Sequence, residues 1–353
     1  MFWILRGQSS VKFYIKDCSF CKLRQAAICK QMMAPLPKQR TTPGGRPFQI
    51  CGCDFFGPES TTIGVGGRKT DKRYGCVFVC FRTRAVHIEM VYSLSTDSFI
   101  SAFLRFFYTQ SGAVREVWSD NATNFISASK ELIKDASFDE KLFKDTLSKK
   151  GVDWQFIPAR SPHQGGIWER MVKQVKTLLT AVYNQEGYRK LSDEEYMTYL
   201  KEVENILNWR PLTSNSDDPQ DFSCLSPHSL LSMGIIPSSI PQYKPLKKDA
   251  YRRCWGTVQL MADEFWKRWI LFYLPTLQKR SKWFDVQRNL KVGDLVLLID
   301  NNALRNQWSR GRVTKVFPNK DGSVRRIELV TPDGRNFLRD IRQVCLLEID
   351  GTD

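Results

Sequence analysis

Histidine is scarce in this 353-residue chain, which has only His87, His163 and His228. No Ser/His or Cys/His nucleophilic arrangement stands out, and His163 reads as loop structure rather than a metal ligand. The ten cysteines show one metal-like spacing, Cys18 to Cys21, and no regular framework. That excludes a disulfide-stapled fold and points to reduced thiols. No apolar run approaches the length needed to cross a bilayer; the best candidate, residues 76–81, is the size of a strand. The opening Met1-Phe2-Trp3-Ile4-Leu5-Arg6 lacks the apolar stretch of a signal peptide, so an intracellular protein is expected. No low-complexity tract or internal repeat stands out either.

Positive charge is abundant and unevenly spread within a net charge of +16. Residues 1–50 hold nine Lys or Arg against one acid, and residues 251–353 hold nineteen against twelve. The centre, 51–250, is nearly balanced, with twenty-five against twenty-four. Basic flanks around a neutral middle suggest arms that hold a polyanion while the middle does something else.

Periodicity predicts an α/β core. Three apolar runs, beginning at Phe48, Tyr74 and Ala85, read as an antiparallel meander, the first ending at Gly57-Pro58. Thr96 reads as the cap of a helix carrying Phe99, Ala102, Phe103, Phe106 and Phe107. A short strand over 114–118 leads to Asp120, polar helices fill 125–150, and another strand covers 152–157. A long helix then starts at Ile167, and a second spans 192–209. The order βββαβαβα implies a mixed sheet with helices on its faces. A proline-rich stretch and a helix over 254–281, broken at Pro275, follow. The last strands, with turns at 319–322 and 332–334, predict a small SH3-like β-barrel.

Three acids stand where acids are poor structural choices. Asp54 interrupts an apolar strand. Asp120 sits just past a strand's C-terminal end, where open α/β sheets place their ligands. Glu169 lies in the first turn of the long helix, whose apolar face is Trp168, Met171, Val172, Val175, Leu178, Leu179 and Val182. Glu169, Lys173 and Lys176 share a different, polar face, a line from a metal-binding carboxylate to a phosphate backbone. Each acid also has a bland reading: a strand end at Asp54, an N-cap at Asp120, a favourable helix start at Glu169.

The succession Cys53-Asp54-Phe55-Phe56-Gly57-Pro58, Ser119-Asp120-Asn121-Ala122-Thr123-Asn124-Phe125 and Pro162-His163-Gln164-Gly165-Gly166-Ile167-Trp168-Glu169 resembles the Asp-Asp-Glu integrase core of retroelements. The Trp-Glu pair after Gly-Gly is most similar to the BEL/Pao retrotransposons. So is the tail, with Ala262-Asp263-Glu264-Phe265-Trp266-Lys267-Arg268-Trp269 and Gly293-Asp294-Leu295-Val296. The resemblance spans nearly the whole chain. It implies an RNase H-like fold in which Asp54, Asp120 and Glu169 hold two Mg²⁺ or Mn²⁺ ions and catalyse DNA strand transfer, an in-line phosphoryl transfer with a 3′-hydroxyl as nucleophile. It implies DNA as partner, at element ends and target, action in the nucleus, and a homo-multimer, since two DNA ends must meet. No small-molecule substrate is expected.

The sequence departs from that pattern in three ways. Ala122 stands where the family usually has glycine, and 48 residues separate Asp120 from Glu169. The family also carries a His-His-Cys-Cys zinc domain ahead of the core. Here Cys18 and Cys21 match the cysteine pair, but no histidine precedes them, so only an incomplete zinc half-site is expected. The expected organisation is a truncated zinc-binding-like segment over 1–34, a linker over 35–47, the catalytic core over 48–215, a helical connector over 216–284 and the barrel over 285–353. In the barrel, Arg305, Trp308, Arg310 and Arg312 are candidates to hold DNA; the bland reading makes Trp308 core and the arginines a solvated face. Two alternatives stand beside strand transfer. One is an RNase H-like nuclease; the other is a decayed or domesticated copy that only binds nucleic acid.

Overall fold

In a computed structural model, the described residues are 7–19, 38–41, 44–63, 69–119, 145–157, 166–183, 188–214, 221–232, 254–277, 288–300, 303, 305–319 and 322–347. The chain divides into two compact units, Met1–Thr41 and Thr42–Asp353. In the first, helix α1 (Gly7–Asp17) and a single turn, α2 (Lys38–Thr41), are described. The second holds everything else.

Its first layer is a sheet of β1 (Ile50–Ile63), β2 (Lys69–Cys80), β3 (Val86–Val91), β4 (Glu116–Ser119) and β5 (Asp153–Phe156), in the order β3-β2-β1-β4-β5. The pairs β1/β2 and β2/β3 are antiparallel; β1/β4 and β4/β5 are parallel. This is the mixed sheet of an RNase H-like core. Side chains alternate between its faces with a period of two. Cys51, Cys53 and Phe55 of β1, with Cys76, Phe78 and Cys80 of β2, join one apolar cluster. That cluster is completed by α3 (Thr96–Thr109), which buries Phe99, Ala102, Phe103, Phe106 and Phe107 as its spacing predicts. Ser95, rather than Thr96, caps it, its hydroxyl accepting from the Ser98 amide.

The opposite face receives α4 (Gly166–Tyr183) and α5 (Asp193–Asn208), packed on Phe56, Val77 and Val79. Ser192 and Glu195 form a capping box at the start of α5. α5 also shields the sheet's open edge. The Asn208 side chain accepts from Val86 N and donates to Val86 O, Glu204 accepts from Ile88 N, and Lys201 donates to Ile88 O. A bare strand edge invites pairing with another chain, and these side chains occupy its outward groups.

The expected end of β1 at Gly57-Pro58 is corrected: the strand continues to Ile63. The register steps from Phe56/Gly75 to Glu59/Arg73, a bulge that takes Pro58 out of the ladder. Gly57 there has φ +108°, a conformation that glycine takes without steric cost. The polar helices expected over 125–150 lie mostly outside the described residues.

Beyond the core come a two-stranded hairpin, β6 (Thr213–Ser214) and β7 (Cys224–Leu225), the short α6 (Pro227–Leu231) and the long α7 (Cys254–Leu277). Pro275 does not break α7; it lies inside the helix, two residues before its end. A second, antiparallel sheet follows: β8 (Leu295–Leu298), β9 (Arg310–Pro318), β10 (Val324–Val330), β11 (Asn336–Asp340) and β12 (Val344–Leu346), ordered β11-β10-β9-β8-β12. A 3₁₀ turn over Ile341–Gln343 joins the last two. This is the strand order of an SH3-like barrel, with one strand, β12, beyond those read from the sequence.

Period-two alternation also explains how this sheet attaches. Val296 and Leu298 face its own core with Val313, Ile327 and Leu329. Leu295 and Leu297 face away and enter the larger cluster with Phe265, Trp269 and Leu274 of α7 and residues of α4 and α5. α7 thus packs on α4 and α5 from one side and on the barrel from the other, within one continuous apolar cluster. No helix among the described residues is long and apolar enough to cross a membrane.

Candidate active site

The sheet reverses its winding between β1 and β4, and open α/β sheets bind ligands at such switch points, outside the strands' carboxyl ends. The parallel pairing of β1 with β4 runs from Ile50/Glu116 to Cys53/Ser119 and stops there. Asp54 is the next residue of β1. Asp120 is the next residue after β4 but lies outside the described residues, as do Ala122 and His163.

Asp54 shares its face of β1 with Gly52 and Phe56, the face covered by α4. Its Oδ1 accepts the Phe55 amide at 2.8 Å. Its Oδ2 takes the Lys176 ammonium at 3.2 Å, with the carboxylate side chain 24% exposed. Burial lifts the Asp54 carboxyl above its ordinary range, against the pull of Lys176 and the Phe55 amide. The Lys176 ammonium is the cation paired with this carboxylate.

Helix α4 lies along β1 in the same direction. Trp168 packs on Gly52, Lys176 reaches Asp54, Thr180 donates to Glu59 and Tyr183 donates to Ser60 O. Glu169 is half-buried in the first turn, and Lys173 is exposed one turn on. Glu169 and Lys176 are seven residues apart, so they stand on one side of the helix, about 20° out of line and roughly 10 Å apart along the axis. The structure thus brings Asp54 and Lys176 together, with Glu169 on the flank of α4 that Lys176 projects from. Among the described residues, no three of His, Cys, Asp and Glu form a metal-holding group.

The other candidates divide. Cys18 is half-buried just after α1, and Cys21 lies outside the described residues. The expectation that Arg305 faces DNA is corrected. Its side chain is 1% exposed and pairs with Glu202 of α5 at 2.9 Å and Asp263 of α7 at 2.7 Å. It also donates to Gln259 O. Charge counting registers a cation but not its location, and this one lies inside the joint between core, α7 and barrel. Trp308 packs edge-on against Trp266 and Tyr273, so its bland reading, as core, is the one met here. Arg310 donates to Phe222 O, and Arg312 to Gly293 O and Asp221 O. Both are half-exposed and tie the 221–225 segment to β9.

Sequence reasoning missed a buried network on β3. His87 contacts Glu89 at 2.8 Å and Glu204 at 3.3 Å, and Lys201 and Arg105 close on Glu89. The signal was available: charged residues alternate within Val86-His87-Ile88-Glu89-Met90, on a strand buried along its whole length. Burial works to lower the His87 pKa, but its bonds to Glu204 and Glu89 prevail and raise it. Burial likewise opposes ionisation of Glu89, yet His87, Lys201 and Arg105 hold it down at about 2.

Residues 253–347 match a family described as of unknown function (DUF5641), a span that takes in α7 and the barrel strands as one block. No curated protein matches the chain. Among solved structures, the chain is similar to one from the simian T-cell lymphotropic virus intasome in complex with PP2A regulatory subunit B56 gamma. The identity is 12% and the TM-score 0.37, over 97% of this chain and 92% of that one. It is also similar to the HTLV-2 integrase catalytic core domain in complex with magnesium, at 17% identity and TM-score 0.28, over 46% of this chain and 88% of that one. The order and sense of the strands carry the fold.

Proposed function

We propose that this chain is a polynucleotidyl transferase, an integrase of the retroelement Asp-Asp-Glu type, most similar in its motifs to BEL/Pao retrotransposons. The carrying observation is Asp54: a carboxylate at the sheet's switch point, withdrawn from water and already holding a cation at 3.2 Å. The donor chemistry fits a hard divalent ion such as Mg²⁺ or Mn²⁺, which prefers carboxylate oxygens to thiols or imidazoles. Asp54, Asp120 and Glu169 would hold two such ions. When bound, the metals supply activation of the attacking hydroxyl and stabilisation of the leaving oxygen.

The reaction exchanges one phosphodiester for another. A 3′-hydroxyl oxygen bonds to phosphorus as the bond to the leaving 3′-oxygen breaks, so no outside energy source is needed. Lys176 pairs with Asp54 and offsets part of the cost of burying that carboxylate. Lys173, exposed one turn from Glu169, would meet a phosphate, with Lys176 on the same side of the helix. DNA is the substrate at both reacting ends, and a homo-multimer would bring two ends together. The test is Asp54→Asn in the full chain. The amide keeps the shape and removes the charge, so Mg²⁺-dependent joining of oligonucleotides should vanish while DNA binding stays nearly intact. Undiminished joining by the variant would remove Asp54 from the chemistry.

A further inference from the structure

Gly52 and Trp168 each precede a proposed metal ligand closely, Gly52 by two residues on β1 and Trp168 by one on α4. A Cβ on Gly52 would lie 2.3 Å from Cε3, 2.5 Å from Cδ2 and 2.9 Å from Cγ of the Trp168 indole. These are atoms in the body of a ring, not the end of a flexible chain, so the indole rests directly on bare strand backbone. The ring also stacks on Phe81, with centroids 5.5 Å apart and planes 16° apart. Trp168 is 1% exposed.

We propose that Gly52 and Trp168 are positioning residues that set the height of Glu169 over Asp54, and with it the span across which the carboxylates share metal. The inference rests on the proposed carboxylate site and adds what holds its two described members in register. The helix meets the strand at Trp168 on Gly52 and again at Lys176 on Asp54, and Glu169 lies between those contacts. No other residue type at position 52 lets the indole sit so low, because any Cβ lifts the first turn of α4. Metal sites tolerate little of this: a support changed behind the ligands costs about 10- to 100-fold in affinity.

The experiment measures Mn²⁺ binding to the full-length protein by the loss of the free-ion paramagnetic resonance signal, alongside thermal melting. Gly52→Ala should weaken Mn²⁺ binding about tenfold or more. Adding Trp168→Leu, which makes room for the new methyl, should return affinity to within about threefold of wild type. Leu200→Ala, a buried truncation in α5, should lower the melting temperature and leave Mn²⁺ affinity unchanged. If Gly52→Ala does not fold, Trp168→Leu alone reads the same contact and should bind Mn²⁺ more weakly than Leu200→Ala. Asp54→Asn separates the two layers. If it weakens Mn²⁺ binding while the Gly52 and Trp168 variants behave like Leu200→Ala, the positioning role is overturned and the carboxylate site stands. If Asp54→Asn itself leaves Mn²⁺ binding unchanged, both fall.

Discussion

Replacing Arg305 with alanine strikes the joint between the barrel and the rest of the second unit. The guanidinium is 1% exposed and faces two carboxylates, with Glu202 14% and Asp263 28% exposed. Removing one partner of a fully buried pair costs about 3–5 kcal/mol, because the other charge stays buried without compensation. Both acids here retain some contact with water, so the loss belongs at the low end, about 3 kcal/mol. In a unit spanning Thr42–Asp353 that corresponds to a fall in Tm of roughly 5 °C. Arg305→Ala should therefore melt early, and its DNA affinity should keep the wild-type dependence on salt, since a buried arginine releases no counterion from a phosphate. Thermal melting and a salt titration of duplex binding on the same preparation check both halves. An unchanged Tm together with a salt slope flattened by about one unit would show that Arg305 meets DNA and that the buried joint is wrong.

Lys315 on β9 and Arg326 on β10 are among the exposed cations of the barrel. If this sheet holds DNA, neutralising both should flatten the slope of log affinity against log salt by roughly two units, with equal loss on unrelated sequences; an unchanged slope would move the DNA-holding role off this face. The His87 network predicts a pH dependence of stability. The raised His87 pKa gives stability that is full below its unfolded value of 6.5 and is lost as pH rises through the folded value. The depressed Glu89 pKa gives stability present above 4.5 and lost as pH falls toward about 2. Tm should thus be highest between about 4.5 and 6.5 and decline as pH rises through the folded His87 value, and His87→Gln should flatten that decline; a variant with the wild-type slope would remove His87 from the effect.

How much of this was legible in the sequence differs from element to element. The meander, the aromatic face of α3 and the stripe of α4 were readable because each buries one face, and burial imprints a period of two or 3.6. Asp54 was readable for the opposite reason, as a charge breaking an apolar strand. The continuation of β1 past Gly57-Pro58 was not, because the bulge that frees Pro58 depends on its partner strand. α7 reads as a connector by its place after a proline-rich stretch. Yet Val258, Met261, Ala262, Phe265, Trp266, Trp269, Ile270, Tyr273 and Leu274 are too many for one narrow stripe, and such a helix is buried on several sides. Arg305 could not be located from composition, since its partners lie 42 and 103 residues away in sequence. The closeness of Gly52 to Trp168 was hidden likewise: a glycine in a strand signals close approach but does not name what approaches.

Product length separates the proposed strand transfer from simple nucleolysis. Full-length protein is incubated with Mg²⁺ and a 5′-labelled duplex bearing the terminal sequence of the element. The predicted result is labelled strands longer than the substrate, joined through their 3′ ends to target DNA, formed by wild type and lost with Asp54→Asn. Labelled strands that only shorten in wild-type reactions, or longer products that persist in Asp54→Asn, would contradict it.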